Sequence, residues 1–194
     1  AAKLQNKKDI GVVYFGDGAM EEGVVHESLN LAKVLEVPVL FVVENNFFSS
    51  HMHISLRQPS NLMTRFAEAN HIVNELSDGN DIVDVYKKSK RLIETSRNGG
   101  GPTFLEVITY RHYGHVDWRE DIDVGVNRSL EDVDDWRLRD PIKRMIDAMK
   151  QDTKSIKLLN DFENKLEKKL IEAWQEAETD EYPPLTSLLD RVYK

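Results

Sequence analysis

Apolar residues fill consecutive positions over 10–15 and again over 39–43, and each run stops abruptly at glycine or polar residues. Unbroken apolar runs of that length are expected of strands in a parallel sheet whose two faces are covered by helices. Between them, 21–35 repeats apolar residues at Val24, Val25, Leu29, Ala32 and Leu35, a helical spacing. Further along, the pattern predicts a loop over 47–59, a short helix over 61–69, a third strand over 71–76 and a turn at Ser77-Asp78-Gly79-Asn80. An amphipathic helix over 81–97 is stopped by Gly99-Gly100-Gly101-Pro102, and a β-branched and aromatic run over 103–110 reads as a fourth strand. Residues 111–128 form a long polar loop. Ser129 and Asp132 open a helix in the manner of a capping box, and Asp140-Pro141 opens another. A long helix over 152–179 carries Ile156, Leu159, Phe162, Leu166, Leu170 and Trp174 down one side and ends before Pro183-Pro184. The expectation is an α/β fold, a doubly wound, mainly parallel sheet over 1–128, with a helical extension over 129–194 packed on the same domain.

The turn after the first strand reads Gly16-Asp17-Gly18-Ala19. Backbone N–H groups at a helix start, with the positive end of the helix dipole, make a seat for phosphate. A carboxylate in that turn repels a diphosphate unless a cation lies between them. Asp17 therefore implies a metal, and magnesium is the usual hard, oxygen-loving partner of phosphates. The dinucleotide fingerprint and the nucleoside-triphosphate loop both fail on spacing: no third glycine follows in place, and Val24-Val25 follow Gly23 where Lys-Ser/Thr is needed. The second strand ends in Glu44-Asn45-Asn46. Parallel strands put their carboxyl ends on one edge, where ligands of open α/β sheets bind. Asp17 and Asn46 thus become two hard oxygen donors at adjacent strand ends. A helix-capping role competes for Asp17; Asn46 at this spacing favours the metal, and Asn45 is expected to shape the turn.

Gly16-Asp17-Gly18, Glu27-x-x-Asn30 and Asn45-Asn46 together resemble the thiamine-diphosphate signature. The fuller wording, from Phe15 through Pro38-Val-Leu-Phe-Val-Val-Glu-Asn-Asn46, resembles the alpha subunit of the 2-oxo acid dehydrogenases, the decarboxylating first components of the pyruvate, branched-chain and acetoin complexes. The likeness continues through Gly101-Pro102-Thr103-Phe104-Leu105-Glu106, Thr109-Tyr110-Arg111, Gly114-His115 and Asp140-Pro141-Ile142. It implies the thiamine diphosphate-binding fold, with thiamine diphosphate and Mg2+ as cofactors. The metal shell it implies is the Asp17 and Asn46 side chains and the main-chain carbonyl of Phe48, completed by two diphosphate oxygens. Gly18 and Ala19 would allow close approach of the diphosphate.

His115 is the side chain the resemblance assigns to catalysis, facing the cofactor and linked to substrate handling and acyl transfer; imidazole as a class exchanges protons near neutral pH. Glu27 and Asn30 are expected at a helix–helix or subunit contact. His51-x-His53 has the look of a metal pair but lacks a third ligand nearby. The resemblance puts the 117–123 run in the loop that is phosphorylated in mitochondrial relatives, and Val116 where those relatives carry serine. The implied reaction is oxidative decarboxylation of a small 2-oxo acid, with acyl transfer to the lipoyl arm of a transacylase. The implied partners are a beta subunit and a second alpha subunit, and the chain alone is expected to be inactive. Other thiamine enzymes, transketolase-like or acetolactate-forming, share Gly-Asp-Gly and Asn but not Tyr110-Arg111-x-x-Gly114-His115. A non-catalytic assembly subunit of the same fold is a further alternative.

Composition narrows the picture in three ways. A net charge of −8 argues against a nucleic-acid or acidic-membrane surface. The absence of cysteine excludes disulfides, a thiol nucleophile and thiolate ligands, and fits a reducing compartment: a bacterial cytoplasm, or the mitochondrial matrix. At 194 residues, starting without methionine on what reads as the tail of a helix, the chain is expected to be the carboxyl-terminal portion of such a subunit.

Overall fold

The computed structural model describes residues 2–5, 7–116, 118, 128–188 and 190. In chain order the elements are β1 (Gly11–Gly16), α1 (Gly23–Val34), β2 (Val39–Asn45), β3 (Phe48–Ser49), β4 (Met52–His53), α2 (Thr64–Ala69), β5 (Val73–Asp78), α3 (Ile82–Thr95), β6 (Thr103–Ile108), α4 (Leu130–Leu138), α5 (Pro141–Met149) and α6 (Thr153–Thr179). The main sheet has the order β1-β2-β6-β5 and every pair in it is parallel. β3 and β4 form a separate two-stranded antiparallel hairpin. The acidic run over 117–123, Trp118 apart, lies outside the described residues.

The central strand β2 shows why an unbroken apolar run belongs here. Successive side chains alternate across a sheet. Phe41 and Val43 join a core on one face with Leu29 and Ala32 of α1, Ala67 of α2 and Phe104 of β6. Leu40 and Val42 join a second core on the other face with Leu92 of α3 and Leu105 of β6. Helices on both faces require apolar residues at every position of the strand between them. The edge strand β1 differs: Val12, Val13 and Tyr14 are exposed although their run is as apolar as that of β2. Among the described residues β1 pairs only with β2.

The helix starts follow their caps. Asp81 accepts from Val83 N and Asp84 N at α3, Ser129 from Asp132 N at α4, and Asp152 from Ser155 N at α6. α3 ends at Thr95, two residues before the expected Arg97, and passes into a wide π-type turn over Ser96–Gly100. Of the stripe expected on α1, Leu29 and Ala32 are buried, while Val24 and Leu35 are exposed. The expected loop over 47–59 contains the β3–β4 hairpin and a 3-10 turn at Ile54–Leu56. Phe48 and Ile54 anchor that segment by burial.

The chain divides into two compact units, residues 1–145 and 146–194. The second is mainly the 27-residue α6, with a Lys168–Glu172 ion pair and a bond from Trp174 Nε1 to Glu178 on its surface. No helix among the described residues is long and apolar enough to cross a membrane.

Candidate functional site

Register sets the site. Gly16 of β1 pairs with Glu44 of β2, and Asn45 with Ile108 of β6. The chain after β1 and the chain after β2 therefore leave the sheet side by side at its carboxyl edge. Asp17, the first residue beyond β1, is 1% exposed. Its Oδ2 is ion-paired with the Arg57 guanidinium, and its Oδ1 is buried with no hydrogen-bond partner. The capping role is not the one Asp17 has: the N-cap of α1 is Glu22, and that of the 3-10 turn at Ala19–Glu21 is Gly18. That 3-10 turn also separates Gly18 from α1, so the helix opens further from the turn than the sequence pattern predicts.

Gly18 lies against the hairpin. A Cβ built on it would sit 2.7 Å from Ser49 Cβ and 2.4 Å from Ser49 Oγ. Only glycine permits that approach, and it locks the Asp17 turn to the segment that follows Asn46. Ala19 is exposed at the rim.

Asn45 and Asn46 divide their work. Asn45 is fully buried; its Nδ2 donates to Asn61 O at 2.8 Å and Glu106 Oε1 at 2.7 Å, and its Oδ1 accepts from Phe47 N at 3.1 Å. It shapes the turn, as its position in the sequence implied. Asn46 is half-buried and its Oδ1 accepts from Phe48 N at 3.0 Å. An amide oxygen has two lone pairs, so this bond leaves one for a further partner. Phe47 adopts a left-handed backbone, φ 68°, uncommon for so bulky a residue. It turns the chain back into β3, where Phe48 pairs with His53. Phe47 O in turn accepts from Ile54 N at 2.7 Å.

Beneath this turn lies Glu106 of β6, 0% exposed. Its Oε2 accepts from Met63 N at 2.7 Å and Thr64 N at 2.8 Å. Burial raises its pKa above the ordinary carboxylate value, against the lowering effect of those bonds, and the Asp17 charge raises it further. Arg57 and Glu106 are the residues here that pattern reasoning misses. Glu106 leaves one trace, a charged residue inside an apolar strand; Arg57 leaves none.

His115 follows β6 in an exposed bend, its ring 6.3 Å from that of His51 and edge-on to it. His51 sits in the turn between β3 and β4. The loop carrying His115 is tied down: Arg111 Nη2 donates to Ser50 O at 2.9 Å, and Arg128 donates to Arg111 O at 2.6 Å and Tyr113 O at 3.2 Å. Arg128 also lies 5.0 Å from the Tyr110 ring centre, and Tyr110 stacks on Trp136 of α4 at 5.4 Å. The remaining histidines have other surroundings. His53 Nδ1 meets Ser55 Oγ at 2.8 Å, His26 packs on Phe66, and His112 lies 4.0 Å from Asp140. No group of three or more His, Asp or Glu side chains suited to a metal occurs among the described residues.

The arrangement therefore joins the Asp17 turn, the Asn46 turn and β3, and brings His115 to the same hairpin through His51. A buried carboxylate oxygen without a partner is costly, and a cation offsets that cost. Asp17, the Asn46 oxygen and the Phe48 carbonyl are all hard oxygen donors, the chemistry that suits Mg2+.

Residues 1–186 match the family described as the dehydrogenase E1 component. The chain is 33% identical over 192 residues to the alpha subunit of acetoin:2,6-dichlorophenolindophenol oxidoreductase of Bacillus subtilis, covering 99% of this chain and 56% of that protein. It is 30% identical over 196 residues to the mitochondrial pyruvate dehydrogenase E1 component subunit alpha of Sminthopsis macroura, covering 100% and 52%. Against the 3-methyl-2-oxobutanoate dehydrogenase subunit alpha of Mycobacterium tuberculosis, identity is 35% over 144 residues, covering 74% and 38%. The chain spans about half the length, or less, of these curated relatives.

Proposed function

From the premise that this chain belongs to the alpha-subunit family of the dehydrogenase E1 component, we propose that it carries the metal–diphosphate site of a thiamine-diphosphate- and Mg2+-dependent dehydrogenase. The observation that carries this reading is Asp17 Oδ1, buried and unpartnered at the carboxyl edge of a parallel sheet. The Asp17 and Asn46 side chains and the Phe48 carbonyl hold the metal, and Gly18 and Ala19 leave room for the diphosphate. When bound, the thiazolium supplies the electron sink needed for loss of carbon dioxide from a 2-oxo acid. This chain's residues do the rest of their share by holding. Asp17 supplies the charge, Asn46 and the Phe47 turn fix the second and third oxygens, and His115 gives or takes a proton on the substrate side.

The reaction proposed is oxidative decarboxylation of a 2-oxo acid with transfer of the acyl group to a lipoyl arm. The relatives are named for acetoin, pyruvate and 3-methyl-2-oxobutanoate; the two 2-oxo acids test the decarboxylation, and acetoin, which has no carboxylate to lose, tests carbon–carbon cleavage without release of carbon dioxide. The assembly proposed is two alpha and two beta subunits working with a lipoyl transacylase; the alpha chain alone is inactive.

The test combines binding and turnover on the protein in its native assembly. Thiamine diphosphate should bind only with Mg2+ or Mn2+, and pyruvate or a branched 2-oxo acid should be turned over with release of carbon dioxide and reduction of an artificial electron acceptor; turnover of acetoin alone keeps the cofactor site and replaces the decarboxylation with carbon–carbon cleavage. Asp17→Asn should abolish metal-dependent binding. An assembly that binds no thiamine diphosphate in the presence of metal refutes the reading.

A further inference from the structure

Resting on that reading, we infer that Arg57 and Glu21 form a positioning device that orients the Asp17 carboxylate toward the metal and keeps the site negatively charged. The Arg57 side chain is 7% exposed, and one of its Nη atoms is paired with Asp17 Oδ2 and the other with Glu21 Oε1. Its Nε donates to Met52 O at 3.2 Å. Each of the three guanidinium nitrogens thus has a partner: Asp17, Glu21 and the Met52 carbonyl. The residue is also fixed at its root: Arg57 N donates at 2.9 Å to the carbonyl of the fully buried Ile54. A planar fork held in this way fixes the position of the carboxylate oxygen it grips. Of the two Asp17 oxygens, Arg57 takes Oδ2 and leaves Oδ1 buried and unpartnered.

Charge explains the second partner. Asp17 paired with Arg57 alone is a neutral unit, which holds a divalent cation poorly. Glu21, with its side chain 27% exposed, adds a second carboxylate on the far side of the guanidinium. The triad as a whole keeps one negative charge, and the one Asp17 oxygen left without a partner is the buried Oδ1. Glu21 lies four residues beyond Asp17, on the 3-10 turn that separates the Asp17 turn from α1. The same turn therefore carries the metal ligand and the group that balances its arginine. Groups that orient a metal ligand in this way typically contribute tenfold to a hundredfold in metal affinity.

The alternative is that Arg57 is a placeholder that occupies Asp17 until metal arrives and then leaves. The two predict opposite signs. The experiment titrates the native assembly with Mn2+ at saturating thiamine diphosphate and reads free Mn2+ by electron paramagnetic resonance. Arg57→Lys keeps the charge but cannot grip both carboxylates, and should weaken Mn2+ binding about tenfold. Glu21→Gln leaves the Asp17–Arg57 pair in place and should also weaken it, whereas Glu21→Asp, which keeps the charge, should retain wild-type affinity. Metal-free circular dichroism and thermal unfolding of each variant report folding; the half-exposed Glu21 keeps the inference testable if Arg57→Lys fails to fold. Unchanged or tighter Mn2+ binding in Arg57→Lys or Glu21→Gln overturns the inference while leaving the proposed function standing. Wild-type protein that binds no Mn2+ with thiamine diphosphate overturns both.

Discussion

Gly18→Ala tests whether the Asp17 turn and the Asn46 segment are locked together by backbone contact. The new Cβ would lie 2.4 Å from Ser49 Oγ, 2.7 Å from Ser49 Cβ and 3.5 Å from Ser49 Cα. The hydroxyl can rotate away, but the Ser49 Cβ is fixed to its backbone. Carbon atoms prefer separations near 3.5–4.0 Å, so the two segments must part by roughly 1 Å. Overpacking of this kind costs about 1–3 kcal/mol. Alanine is otherwise acceptable at Gly18, whose φ is −66° and ψ −39°. Its reduced freedom in the unfolded chain returns about 0.4–1 kcal/mol. The expected net loss is about 1–2 kcal/mol. A shift of about 1 Å at reacting groups can cost on the order of a hundredfold in activity, so metal-dependent function should fall further than stability alone explains. Ser49→Gly removes both obstructing atoms and leaves the Ser49 Cα in ordinary contact. The double variant Gly18→Ala/Ser49→Gly should therefore recover, with a coupling energy of about 1–2 kcal/mol. Urea unfolding of the four metal-free proteins, with thiamine diphosphate titration of the same set, measures the cycle. A neutral Gly18→Ala, or a double variant that is strictly additive, refutes the argument.

Other expectations follow from the same geometry. Leu29 is fully buried between α1 and the sheet, so Leu29→Ala should cost about 2–5 kcal/mol in chemical denaturation. Glu106 has its pKa raised above 4.5 by burial, so the folded state holds the proton more tightly than the unfolded chain. Its contribution to stability is full below the unfolded value and is lost as pH rises through the folded one. As pH rises above 4.5, metal-free wild type should lose more unfolding free energy than Glu106→Gln; parallel profiles contradict this. His115→Asn should keep metal-dependent thiamine diphosphate binding and lose turnover by about 10²–10⁴-fold; equal loss of both would make it a structural residue.

Much of the architecture is legible from period and punctuation. The apolar runs at 10–15, 39–43 and 103–110 are β1, β2 and β6, and Asp81, Ser129 and Asp152 cap the helices they were expected to open. The third strand begins two residues later than expected, at Val73, because His71 takes a left-handed backbone, φ 55°. Asp17 and Asn46 are placed by topology alone: parallel neighbours must deliver both to one edge, and the Gly16–Glu44 register does so. The hairpin at Phe48–His53 is a different case. Two-residue strands are too short to show alternation, and its entry and its turn rest on left-handed Phe47 and Ser50, residues that carry no sequence signal for that conformation.

The parts of the site that escape sequence reasoning share one physical character. Asp17 meets Arg57 across 40 positions, Arg57 meets Glu21 across 36, and Glu106 meets Met63 across 43. None of these spacings is a helical or strand period: the Arg57 pairs are brought together by the hairpin and the 3-10 turns, and Glu106 of β6 meets Met63 at the start of α2. Sequence can say that a carboxylate beside a diphosphate needs a cation. It cannot say that the carboxylate arrives with an arginine already on one oxygen. That distinction decides the chemistry proposed for Asp17. A free Asp17 would present either oxygen in several orientations and bring its full charge, whereas the gripped Asp17 presents Oδ1 in one orientation. Glu21 restores the charge that the grip removes. Orientation and charge, supplied together by one side chain in a metal site that sequence can read, are here separated between a legible residue and two illegible ones.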